Sequence, residues 1–156
     1  MKYYLSLGGN IGDTPAVLRG ALDEINRRAG QVERVSSFYT TAPWGFSARQ
    51  DFVNAAAVVE SAHAPQEMLE KLMGIEKLFG RERNTDAKGY ASRTLDIDII
   101  FAGSQRLNTP LLKIPHPLAH LRRFVLEPMA EIAPDFIHPV LEKTIQRLLE
   151  ECPPDK

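Results

Sequence analysis

The spacing of apolar residues changes period several times along the chain, and each change marks an element. Tyr3 to Leu7 is a short apolar run ended by Gly8-Gly9-Asn10-Ile11-Gly12-Asp13, the pattern of a strand running into a turn. Val17, Leu18, Ala21, Leu22 and Ile25 then recur at helical spacing, with Thr14 as the expected N-cap, Pro15 at the first helical position and Gly30 as the stop. Val32 to Tyr39 returns to strand, and Phe52 to Glu60 is a second run able to pair with it. The loop between them, Thr41 to Gln50, is long for a hairpin, and long loops in compact domains tend to be functional. Pro65 opens a helix in which Met68, Leu69, Leu72, Ile75 and Phe79 keep a helical period up to Gly80. A buried strand ending at Phe101 follows. Beyond it lie a turn at Ala102-Gly103-Ser104, the loop Ile114-Pro115-His116-Pro117, a helix interrupted near Pro128 and a last helix from Thr144 to Leu149. Strand, helix, strand, strand, helix, strand is the order of a ferredoxin-like α+β sandwich, an antiparallel sheet with helices packed on it, here with C-terminal helical additions.

The strand at Arg93-Thr94-Leu95-Asp96-Ile97-Asp98-Ile99-Ile100-Phe101 carries the most telling polar positions. Side chains alternate faces along a strand, so Asp96 and Asp98 project to one side, roughly 6.5 to 7 Å apart at their Cα atoms, while Leu95, Ile97 and Ile99 face a core. Two carboxylates this close on a sheet disfavour each other's ionised form, and a bound cation removes the conflict. Paired carboxylates on a rigid strand suit Mg²⁺, which leaves its other coordination positions to water and phosphate oxygens. The same spacing also suits a strand whose polar face is merely solvated. The basic stretch from Arg81 to Arg93, and Arg122-Arg123 later, favour the first reading, because an anion arriving with its metal needs both signs of charge.

Composition narrows the class. The chain has 156 residues, 44% hydrophobic and 25% charged, with a net charge of −1. That is enough for one domain over 1–156, with 151–156 expected as a frayed tail. The charge balance argues against a nucleic-acid footprint spread over the whole protein. A single cysteine, Cys152, permits neither an internal disulfide nor a thiolate cluster. No segment reaches the length of a membrane span. The expectation is a cytoplasmic monomer acting on small molecules, with no nucleic acid and no membrane among its partners.

Other positions carry chemistry more ambiguously. Gly8-Gly9-Asn10 permits close approach of a ligand to the backbone but lacks the residues of a P-loop, and it equally suits a plain tight turn. Phe52 and Asn54 share a strand face, offering one flat surface and one amide to a planar heterocycle, though an aromatic beside Val53 and Val58 also suits a core. His116, held between two prolines, is placed to meet a phosphate. Zinc shared with His120 is disfavoured by Pro117 and by the lack of a third ligand. His63 and His138 read as ordinary surface or turn residues. Arg81, Arg83, Arg93 and Arg122 can clamp a polyphosphate through guanidinium forks, or can each be a solvated surface arginine.

Seven collinear segments together resemble the 6-hydroxymethyl-7,8-dihydropterin pyrophosphokinase family of folate biosynthesis. They are Leu7 to Asn10, Ser36 to Thr41, Asp51 to Ala56, Ile75-Glu76 with Gly80-Arg81, Arg93 to Ile99, Pro115-His116-Pro117, and Arg122 to Pro128. The resemblance implies transfer of pyrophosphate from ATP to a pterin alcohol with release of AMP. It implies two Mg²⁺ ions on Asp96 and Asp98, phosphate contacts from Arg93, Arg122 and His116, and further nucleotide contacts from Glu76 and Ile99. Arg81 and Arg83 are implied in a loop that closes over the nucleotide. Thr41 and Asn54, with Ala42 and Trp44 beside them, are implied to hold the pterin edge, and Phe52 and Phe124 to sandwich its ring. The chain departs from the family where Gly9 replaces a common serine, Phe52 a tyrosine, and Tyr90-Ala91-Ser92-Arg93 a Trp-Gly-Pro-Arg stretch. A different metal-dependent phosphoryl transferase and a non-catalytic binding module are the rival readings.

Overall fold

A computed structural model describes residues 1–41, 51–80 and 94–154. Strand β1 (Lys2–Gly9) is followed by helix α1 (Thr14–Arg28), strands β2 (Gln31–Val35), β3 (Tyr39–Thr41) and β4 (Phe52–Glu60), helix α2 (Pro65–Leu78) and strand β5 (Asp96–Ala102). A two-strand ribbon, β6 (Leu107–Asn108) with β7 (Lys113–Ile114), precedes helices α3 (Arg123–Ile132) and α4 (Ile145–Glu151). The main sheet is antiparallel in the order β2-β4-β1-β5, with β3 also on β4.

Alternation along these strands divides the core in two. Tyr3, Leu5 and Leu7 of β1, with Ala55, Ala57 and Val59 of β4 and Ile97 and Ile99 of β5, meet Leu18, Ile25, Leu72 and Ile75 of α1 and α2. The opposite face meets α3 and α4 through Val58, Ile100, Phe101, Leu126, Met129 and Leu148. The C-terminal helices therefore cover the face that α1 and α2 leave bare. A register shift between Tyr4 and Leu5 pairs Leu5 with Ile99 but Tyr4 with Phe101, so one extra residue is accommodated around Ile100. A bulge of this kind changes which way the following side chain points. Phe101 consequently joins the α3 face, where strict alternation would have put it beside Ile99.

Several expectations need correction. The run from Val32 to Tyr39 is two strands, because at Ser36 the hydroxyl accepts from Ala56 N (2.8 Å) while Ser36 N donates to Ala56 O (2.9 Å), so a side chain takes over a backbone position in the ladder. Asp13 caps α1, its carboxylate accepting from Ala16 N (3.3 Å), and Thr14 is already helical. Pro128 does not interrupt α3. It removes only the N–H that would have reached the Phe124 carbonyl, and its ring is buried. The tail is not frayed from residue 151, since Glu151 ends α4 and Cys152 is buried in the second core. His138 is also buried, with Nδ1 accepting from Val140 N and Leu141 N and its ring edge-on to Phe101.

Candidate active site

Register assembles the site. Asn54 of β4 pairs with Gly8 of β1, and Gly8 pairs with Asp96 of β5, so these three residues form one row across the sheet. The next row is Ala56, Ser6 and Asp98, and the third is Val58, Tyr4 and Phe101. Cross-strand partners share a face, so Asn54, Asp96 and Asp98 all lie on the α3 side. On that side the sheet is polar at the end where β1 finishes and apolar at the other. Two interstrand spacings put the Cα atoms of Asn54 and Asp96 about 9 to 10 Å apart.

Gly8 is glycine for a visible reason. A Cβ there would stand 2.5 Å from Asn54 Oδ1. The Asn54 amide is held from its other side by Thr41, whose Oγ1 accepts from Nδ2 at 3.2 Å. With Nδ2 committed to Thr41, the orientation of the carboxamide is set, and Asn54 itself is buried. Thr41 pairs with Phe52 in the same ladder, which brings Thr41, Phe52 and Asn54 to one corner of the α3 face.

The loop after β7 supplies the opposite wall. A cis peptide joins Ile114 to Pro115. His116 N donates to Ile100 O (3.0 Å), fastening the loop to β5, and His116 Nδ1 accepts from Leu118 N (3.2 Å). In the neutral ring Nε2 therefore carries the proton and is a donor. Burial lowers the His116 pKa, the Arg122 cation lowers it further, and the Asp96 carboxylate pulls it back up. His116, Arg122 and Asp96 thus feel one another's charge. Arg122 also lies over the Phe124 ring, its Cζ 5.8 Å from the centroid.

The donor set fits a hard cation. Asp96 and Asp98 are both half-buried on one rigid strand, and among the described residues no three His, Cys, Asp or Glu side chains gather as a metal cage. Two carboxylates with room for water and phosphate oxygens suit Mg²⁺ better than a metal bound wholly by protein. His120 turns toward His138, with ring centroids 6.4 Å apart.

Two expected ligand residues lie differently. The Ile99 side chain is buried in the α1 and α2 core, which leaves only its backbone for a nucleotide. Glu76 reaches under β5, where its Oε2 accepts from Ile97 N at 2.7 Å and steadies the aspartate strand. Ala42, Trp44, Arg81, Arg83, Tyr90 and Arg93 lie outside the described residues.

The model of the 7,8-dihydro-6-hydroxymethylpterin-pyrophosphokinase (HPPK) family matches residues 4–134, which include every row described above. The chain belongs to this family. A 2-amino-4-hydroxy-6-hydroxymethyldihydropteridine pyrophosphokinase of Synechocystis sp. is 42% identical over 148 residues, 94% of this chain and 74% of that protein. The enzyme of that name from Aquifex aeolicus is 32% identical over 148 residues, 95% of this chain and 90% of its own length. Among solved structures, wild-type Plasmodium falciparum HPPK-DHPS shares the fold, with a TM-score of 0.74 at 16% identity over 96% of this chain. The chain spans only 44% of that longer protein. The HPPK fold is therefore shared at identities where little sequence is left, and the pyrophosphokinase relatives are similar along nearly the whole chain.

Sequence reasoning missed Glu131. Both of its carboxylate oxygens accept from Ser37 N (3.0 Å), Ser37 Oγ donates to Oε2 (3.1 Å), and the Tyr39 hydroxyl donates to Oε1 (2.6 Å). The Ser36 to Tyr39 segment was the only hint in the sequence, because the partner comes 92 to 94 residues later.

Proposed function

We propose that this chain transfers the pyrophosphoryl group of ATP to the hydroxymethyl oxygen of 6-hydroxymethyl-7,8-dihydropterin, releasing AMP; its relatives are named as pyrophosphokinases of the hydroxymethyldihydropteridine, which supports this reading. The observation that carries this reading is the row Asn54-Gly8-Asp96, which sets an oriented amide and a carboxylate on one face at a span suited to a flat acceptor beside a nucleotide's phosphates. Thr41 and Asn54 hold the acceptor's hydrogen-bonding edge, and Phe52 and Phe124 cover its ring.

Asp96 and Asp98 would hold two Mg²⁺ ions, which supply charge that offsets the triphosphate. His116 donates through Nε2 and Arg122 through its guanidinium to phosphate oxygens. Because burial and Arg122 hold His116 neutral near pH 7, it acts as a donor and adds no charge. The acceptor oxygen forms a bond to the β-phosphorus in line as the bond from that phosphorus to the oxygen of the α-phosphate breaks, and the hydroxyl proton passes to solvent. Such chemistry asks for positioning and electrostatic stabilisation, with no covalent intermediate on the protein. Arg81, Arg83 and Arg93 are assigned to phosphate contact and loop closure, and Ala42 and Trp44 to the acceptor, on the family resemblance of their segments. Glu76 acts here as a support of β5, and Ile99 serves a nucleotide only through its backbone. The working form is taken as a cytoplasmic monomer of one domain.

Incubation with ATP, Mg²⁺ and the pterin alcohol, followed by chromatography, tests the proposal. Equal amounts of AMP and pyrophosphorylated pterin are expected. ADP in place of AMP would mean a simple kinase.

A further inference from the structure

We infer that Glu131 is a positioning residue for the flat acceptor, acting by latching helix α3 to strand β3 so that the two walls of the acceptor cleft keep their spacing. The inference rests on the functional reading above and extends it to a residue outside the ligand-contacting set.

One wall is the sheet corner of Thr41, Phe52 and Asn54, and the other is α3, which carries Phe124 near its start and Glu131 near its end. Strand β3 is only three residues long. So short a strand is held weakly by its own ladder, yet Thr41 at its end sets the Asn54 amide. At its other end Tyr39, which pairs with Asn54, and Ser37 just before it give Glu131 all the contacts described above. The helix is fixed in turn, because Arg34 Nη1 of β2 donates to Ile132 O at 2.8 Å. Glu131 therefore ties a secured helix to a short strand whose last residue orients an acceptor contact.

The magnitudes separate this role from a structural one. Glu131 is exposed, and exposed charged contacts add little to global stability. Hydrogen bonds to a charged acceptor are nevertheless short and directional, as the 2.6 Å bond from Tyr39 is, and suit a geometric task. The Tyr39 hydroxyl has its pKa raised to about 12 by that bond, and Glu131 has its own lowered by the same bond, so the latch persists unchanged around neutral pH.

The test is equilibrium titration of the pterin alcohol, in the presence of Mg²⁺ and a non-hydrolysable ATP analogue, into wild type, Glu131→Gln and Tyr39→Phe, with separate titration of the analogue and thermal melts alongside. Glu131→Gln is expected to weaken pterin binding about tenfold and Tyr39→Phe about threefold, with nucleotide affinity changed less than about twofold. Melting temperatures should move by only a few degrees. Unchanged pterin affinity in both variants, or equal weakening of both ligands, overturns the inference. Tyr39→Phe keeps the question open to test if Glu131→Gln folds poorly, since it removes one hydroxyl and leaves the carboxylate. Wild-type protein that binds nucleotide but no pterin overturns the functional reading on which the inference stands.

Discussion

On the α3 face the two ends of the sheet use the same strands for opposite purposes. At one end the rows are Asn54-Gly8-Asp96 and Ala56-Ser6-Asp98; at the other, Tyr4 and Phe101 pack on Phe136 at centroid distances of 4.3 and 4.7 Å and on each other at 6.0 Å. Both ends are paired antiparallel, and the apolar end has in addition the extra residue near Ile100 that turns Phe101 to this face, so the difference lies in the side chains presented and in that one bulge. The apolar end fastens α3 and α4 to the sheet, and the polar end is left to bind ligands against the wall those helices form. Stability and activity should therefore respond to different substitutions on one continuous surface.

Removing Phe101 should give the largest effect. Phe101→Ala empties a fully buried site and should cost about 3–5 kcal/mol in denaturant unfolding, while activity per folded molecule is retained. One and two rows away, Asp98→Ala or Asp96→Ala should lower turnover by a factor of about 10² to 10³ or more, with an unchanged melting curve. AMP release as a function of Mg²⁺ checks this, and a variant with near-normal turnover would dissolve the contrast between the ends. Gly8→Ala sharpens the contrast within the polar end. The new methyl would collide with Asn54 Oδ1, the end of a side chain that can rotate away, so the cost in stability should stay near 1 kcal/mol. Rotation of that amide should instead raise the Michaelis constant for the pterin about tenfold and leave that for ATP nearly unchanged.

The smallest effect is on pH dependence at the apolar end. Burial lowers the His138 pKa, and the nearby His120 lowers it further. The unfolded chain then takes up the proton first, so the contribution of His138 is complete above its ordinary value of 6.5 and is lost as pH falls below it. Protonation at Nδ1 also ends two backbone hydrogen bonds. Urea midpoints should decline below pH 6.5. In His138→Asn, where a carboxamide oxygen can accept the same bonds without titrating, the decline should be shallower.

Much of the polar end was legible in the sequence because its signals are local. Alternation in Asp96-Ile97-Asp98 and the two-residue spacing of Phe52 and Asn54 name their shared faces without reference to any other strand. That Asn54 and Asp96 flank the same glycine depends on sheet order and register, which no local pattern carries. The bulge near Ile100, Ser36 standing in the ladder, and Glu131 holding Ser37 and Tyr39 are likewise tertiary facts, set by what packs opposite. His138 was misread for the same reason. A histidine followed by Pro139 and Val140 looks like a turn, and only the packing of Phe101 against it shows that the turn is buried.

The most direct measurement is product formation by wild type and by Asp98→Asn, each confirmed folded by its melting curve and each supplied with ATP, Mg²⁺ and the pterin alcohol. AMP and pyrophosphorylated pterin should appear together with wild type and be nearly lost with the variant. AMP release that survives the loss of that carboxylate would contradict the placement of the chemistry on this end of the sheet.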